Sequence, residues 1–150
     1  MGLICPCEVS VNAFSENNNV SFEPSGGGTV EGTLTYLAEL CSAALETSTL
    51  SLSFVDTEFA GANSFTFTAT EITSVVCDPT GQNCFITVTG SGTVTGQVGT
   101  FDFEAVFLDG VAIDNVQSFF IDGFFDQNGA APVDNGSIVA LNCQEAEESL

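Results

Sequence analysis

Between Val30 and Leu40 the chain alternates with a period of two. Val30, Leu34, Tyr36, Ala38 and Leu40 fall on one side of an extended backbone, and Glu31, Thr33, Thr35 and Glu39 fall on the other. Period two marks a half-buried β-strand, because a helix would bring residues three and four apart together and mix the two sets. The pattern returns in Leu50, Leu52 and Phe54 against Ser51 and Ser53, and in Phe65 and Phe67 against Thr66 and Thr68. It returns again in Phe101, Phe103 and Phe107 against Asp102 and Glu104. Residues 9–14, 85–94, 118–124 and 137–142 read as further strands, and the phase slips near Thr70-Glu71, where a bulge is expected. Ser25-Gly26-Gly27-Gly28, Asp78-Pro79-Thr80-Gly81, Asp109-Gly110, Gln127-Asn128-Gly129 and Asp134-Asn135-Gly136 separate the strands as turns. About eight strands at this spacing predict an all-β sandwich or barrel. The one helix-like stretch is 36–46, and a strand ending near Cys41 is an equal reading of it. A short echo, G-x-G-T-V-x-G at 26–32 and 90–96, reads as two similar glycine-bearing strands, with an old duplication as the alternative.

Charge narrows the chemistry. The 150 residues include 20 carboxylates and no Lys, Arg or His, a formal charge of −20. Without imidazole there is no ordinary base near neutral pH, and without lysine there is no Schiff base. Without guanidinium or ammonium a phosphate cannot be held, and nucleic acid is excluded because its binding depends on cations that displace counterions. Enzyme activity is therefore not expected. The apolar content of 44%, with 14 Phe, argues for a packed core rather than an acidic disordered chain. No apolar run approaches the roughly 18 residues of a membrane span, so membrane insertion is not expected.

Six cysteines in such a chain point to an oxidised, extracellular framework. Cys77 and Cys84 flank a turn sequence, and an in-register hairpin would place them face to face as an intrachain disulfide. A zinc tetrathiolate completed by Cys5 and Cys7 is the competing reading. The six-residue gap between Cys77 and Cys84 exceeds the usual ligand spacing of about two to four and disfavours it. Cys5-Pro6-Cys7 precedes the first strand. One reading pairs these cysteines with Cys41 or Cys143 in the same chain, fastening the terminus down; the other sends them to a neighbouring subunit.

A short N-terminal segment carrying Ile4-Cys5-Pro6-Cys7, followed by one β-domain with Cys41 near an early strand and Cys143 near the last, resembles the subunits of bacterial endospore appendages. The resemblance implies a jelly-roll β-sandwich stacking into a fibre. It implies that Cys5 and Cys7 act as connector thiols and Cys41 and Cys143 as acceptors in other subunits. It also implies synthesis inside the mother cell without a signal peptide. Residues 90–142 separately resemble a strand-rich segment of bacterial secreted β-sandwich domains. The expected organisation is a connector over 1–8, a β-sandwich domain over 9–143 and an acidic tail over 144–150.

Asp122, Asp126, Asn128 and Asp134 gather in turn-like clusters whose oxygens would suit calcium, although Asp-Asn-Gly is also a common metal-free turn. No other cofactor is expected. A shell of one sign opposes sideways clumping and offers no trypsin-type cleavage site, and it equally opposes stacking within a Debye length of about 8 Å. The expectation is a structural subunit at the cell or spore surface, partnered by copies of itself and cross-linked by disulfides. The alternative is a monomeric secreted or surface domain with internal disulfides that binds a ligand or calcium.

Overall fold

The structure, a computed structural model, describes residues 7–23 and 28–141. Among these the chain is all-β. The strands are β1 (Glu8–Phe22), β2 (Thr29–Cys41), β3 (Thr49–Asp56), β4 (Phe65–Thr80), β5 (Asn83–Val94), β6 (Phe101–Asp109), β7 (Asp114–Ile121), β8 (Phe125–Asp126), β9 (Ala131–Val133) and β10 (Ile138–Leu141). A short 3-10 turn, Leu45–Thr47, joins β2 to β3. The 36–46 stretch thus resolves as a strand to Cys41 and then that turn.

Each of β1 to β8 pairs antiparallel with its sequence neighbour, and β8 also pairs with β1, through Ser21–Asp126 and Phe22–Phe125. One sheet therefore closes on itself as an up-and-down barrel, where the resemblance had implied a two-sheet jelly roll. A jelly roll needs long crossovers between sheets. Here short connections leave each strand beside its sequence neighbour. The long strands bend enough to close because they carry bulges: between Ser15 and Asn18 in β1, twice between Ala69 and Ser74 in β4, and in the β6–β7 ladder beside Val106. The slip expected at Thr70-Glu71 is the first of the β4 pair.

The inward phase fills the barrel. Tyr36, Phe54, Phe67, Phe107, Phe119 and Phe125 are fully buried, with Leu34, Leu52 and Ile86 between them. The interior of an eight-stranded barrel is just wide enough for side chains, so glycines make room for the rings. A Cβ at Gly92 would lie 2.7 Å from the Phe67 ring and 2.8 Å from Ala69 Cα, and one at Gly32 would lie 2.6 Å from the Phe54 ring. The glycine echo is not a structural repeat. Gly32 lies within β2, whereas Gly96, its counterpart, lies beyond β5 at φ +80°. Outward positions on β2, β3 and β5 are mostly Thr, Ser and Glu, the inverse of the apolar outer band of a membrane barrel. Among the described residues no helix is long and apolar enough to cross a membrane.

The seam between β7 and β1 is closed differently along its length. At one end β8 supplies backbone ladder bonds to both strands. In the middle Gln127 is buried. It donates to the carbonyls of Val116 (2.9 Å) and Gly129 (2.8 Å) and accepts from the Tyr36 hydroxyl (2.6 Å). Burial pushes the Tyr36 phenol far above its usual range, so it stays a neutral donor. At the other end β9 pairs with β7 and β10 pairs with β1.

Candidate functional site

The barrel has two chemically distinct ends. At the first, Phe22, Phe65 and Phe124 form an aromatic floor. Phe65 and Phe124 meet edge to face at 5.0 Å, and Phe22 packs on Phe124 at 5.5 Å. Above them opens a cavity of about 290 Å³, rimmed by Asn63, Thr95 and Gln97. The rim is held by a carboxylate. Asp56 continues the inward phase of Leu50, Leu52 and Phe54, and burying it is tolerable only with donors around it. It accepts from the backbone of Glu58 (2.7 Å), Phe59 (2.8 Å) and Asn63 (3.0 Å), and from Asn63 Nδ2 (2.8 Å). Desolvation works to raise its pKa, but these hydrogen bonds outweigh it and hold the carboxyl below its ordinary value. Thr95 is fixed across the β4–β5 ladder, where its Oγ1 accepts from Thr66 N at 3.0 Å. The lining contains aromatic rings, amides and hydroxyls, and no charged side chain.

At the opposite end lie the cysteines. Cys7 is disulfide-bonded to Cys77, with Cα atoms 6.3 Å apart, a separation a disulfide spans. This corrects the expected Cys77–Cys84 staple. The hairpin turns tightly over Gly81 and Gln82, pairing Thr80 with Asn83, so Cys84 stands opposite Pro79 and Cys77 opposite Ile86. Direct apposition of the two cysteines would require a six-residue loop that the strands instead absorb. Cys41 and Cys84 each take part in a disulfide of their own. Cys7 and Cys41, read as intersubunit thiols, are thus engaged within this chain; Cys5 and Cys143 lie outside the described residues. The Sγ atoms of Cys7, Cys77 and Cys84 all lie within 4.8 Å of one another.

The same end carries two carboxylates that dock β10. Asp114, buried in β7, accepts from the backbone of Gly110 (3.0 Å), Gly136 (2.7 Å) and Ile138 (3.1 Å), and Asp109 accepts from Ala140 (2.8 Å). Alternate N–H groups of β10 therefore meet side-chain oxygens where a ladder would supply carbonyls. Desolvation raises the Asp109 pKa; the Ala140 hydrogen bond opposes that shift, and repulsion from Asp114 adds to it.

The calcium candidates are not brought together. Asp126 accepts from the Asn128 backbone at 2.9 Å in a local turn, the Asn128 amide donates to Ser21 Oγ, and the Asp134 carbonyl accepts from Ser137 at 3.0 Å. Asp122 and Asp134 are exposed. Among the described residues, the one group of three Asp, Glu or Cys side chains with ligand atoms this close is the cysteine triad. Sequence reasoning missed Asp56 and Asp114. The signal was present for Asp56, a carboxylate on the inward phase of an alternating strand. No family model, curated protein or solved structure matches this chain.

Proposed function

We propose that the protein is a non-enzymatic extracellular module, a disulfide-stapled acidic barrel that holds a small neutral, partly apolar ligand at its aromatic mouth. The observation that carries this reading is the cavity over Phe22, Phe65 and Phe124 with its uncharged rim. The packed barrel fills its own interior, and mouths of barrels are recurrent small-molecule sites. The −20 charge repels anions, and a lining without carboxylates offers a cation no direct partner. Neutral amphiphiles with a flat or aliphatic face remain. Titration with benzyl alcohol and with octyl glucoside below its micelle concentration should move the amide resonances of Ser64, Phe65, Thr95 and Phe124 together. Phe124→Ala should abolish that response. Shifts scattered over the outer barrel would sink the assignment.

A fibre subunit is the second reading. What favours it is the pair Phe14 and Leu37, each about half exposed (53% and 49%) and diagonal to one another across the β1–β2 ladder. Apolar contact there would have to overcome the charge between copies. Filaments in negative stain that survive reductant would support non-covalent assembly; a monodisperse monomer at high concentration would end it.

A further inference from the structure

We propose that Cys7, Cys77 and Cys84, when reduced, form a three-thiolate site for zinc, and that this site and the disulfides these three cysteines make are alternative states of one cluster. The inference is independent of the aromatic mouth, which lies at the other end of the barrel.

The three sulfurs are placed by contacts that do not involve sulfur. Cys77 and Cys84 are diagonal neighbours on one face of the β4–β5 ladder, whose backbone bonds fix their spacing in either redox state. Cys7 is held against the β2–β3 connection, where its N–H donates to Ser42 Oγ (3.2 Å) and its carbonyl accepts from Ser42 N (3.1 Å). Three thiols require both the Cys7–Cys77 disulfide and the one that Cys84 makes to be opened, and these backbone contacts then keep the three residues beside one another. A tetrahedral zinc with Zn–S bonds of about 2.3 Å requires sulfurs about 3.8 Å apart. The triad lies within 4.8 Å, so Cys7 and Cys77 must separate from bonding contact while Cys84 closes in by about 1 Å or less. The fourth position is left for water or a further ligand.

Charge favours the ion. Asp109 stands directly across the β5–β6 ladder from Cys84, and Asp114 pairs with Asp109, so the end is negative before any thiol ionises. The chain contains no cationic side chain to stabilise a thiolate, so the metal must displace the three thiol protons itself. Reaching the reduced state needs a two-electron reductant for each disulfide, in a cell a dithiol. Each disulfide takes up two electrons and two protons, and the reductant becomes a disulfide. Oxidation reverses this and ejects the ion, since Cys7 and Cys77 become bonded to each other and Cys84 returns to its own disulfide. A reducing compartment would thus hold the zinc form, and an oxidising one the stapled form.

The test uses the full chain, reduced with a phosphine under anaerobic conditions. It is titrated with Zn²⁺ against a chromophoric chelator, and separately with Co²⁺. One equivalent should bind, and Co²⁺ should develop thiolate-to-metal charge-transfer absorption. Cys77→Ser and Cys84→Ser should each weaken zinc binding by roughly a hundredfold or more, beyond what loss of an outer-shell partner costs. Cys41→Ser, outside the triad, should leave it unchanged. If the reduced chain loses its β circular dichroism, zinc should restore it. The proposal is overturned if the reduced chain, folded or not, fails to bind equimolar zinc. It is equally overturned if Cys41→Ser weakens binding as much as Cys84→Ser, or if the oxidised chain binds as well as the reduced one.

Discussion

The two ends of this barrel are held by different physics. At the aromatic end, Phe22, Phe54, Phe65, Phe124 and Phe125 pack on one another, and β8 closes the seam with backbone hydrogen bonds. Nothing in that closure changes redox state. At the cysteine end the entry to β1 is fastened by a covalent bond, and β10 is docked on Asp109 and Asp114. That closure depends on oxidant and on pH. The aromatic end is therefore indifferent to redox state, and the cysteine end responds to it.

The largest expected effect lies at the aromatic end. Phe125 is fully buried and touches the rings of Phe22, Phe54 and Phe65. Phe125→Ala should cost about 3–5 kcal/mol by urea unfolding, and the loss should be equal in oxidised and reduced protein. A loss that vanished on reduction would mean the two ends are not independent.

Next comes the staple. Cys7 and Cys77 are 70 residues apart in sequence, and chain entropy assigns a loop of that length about 4 kcal/mol, an upper figure where other disulfides already restrict the unfolded chain. The double variant Cys7→Ser/Cys77→Ser should unfold at lower urea by about 2–4 kcal/mol. Its amide exchange should rise at Val9 and Val11 while Phe65 and Phe67 stay protected. Uniform loss of protection would contradict the division into two ends.

Smaller again is Asp114→Asn, which leaves one side-chain oxygen for three backbone donors. A cost of about 1–3 kcal/mol is expected, with exchange accelerating at Gly136 and Ile138. Unchanged protection at both would show that β10 is held by its β1 ladder alone.

The subtlest contrast is in pH, where the ends should differ in sign. The Asp56 pKa is lowered on folding, so its contribution is present above the unfolded value of about 3.9 and fades as pH falls through the folded one. The Asp109 pKa is raised, so the folded chain binds its proton more readily. The ionised group costs stability at neutral pH, and that cost is relieved as pH falls through the raised value. Carboxyl carbon NMR should place the Asp56 midpoint below the ordinary range and that of Asp109 above it. The reverse order would overturn both assignments.

Much of the barrel is legible in local alternation. Inward and outward sets on β2, β3, β5 and β6 follow from which residues share a face, and the slip at Thr70-Glu71 is a real bulge. The 118–124 segment illustrates a limit. The β7 strand begins at Asp114 and ends at Ile121, and an extra residue within its ladder shifts the phase and hides its first half from simple alternation. The aromatic mouth was hidden for a related reason. Phe22, Phe65 and Phe124 are far apart in sequence, and only closure of the sheet sets them on one floor.

Alternation and the absence of cations by themselves determined that this chain is all-β, has an apolar side to bury, and lacks the side chains for phosphate or nucleic-acid recognition. Those properties depend on neighbouring residues and on composition, and they survive any arrangement of strands. Tertiary structure alone decided between sandwich and barrel, because period two is the same in both and closure depends on strand stagger and bulges accumulated around the sheet. It also decided which cysteine meets Cys77. A disulfide responds to distances of a few ångströms, and a two-residue turn in place of a six-residue loop was enough to move Cys84 aside and bring in Cys7 from 70 residues away.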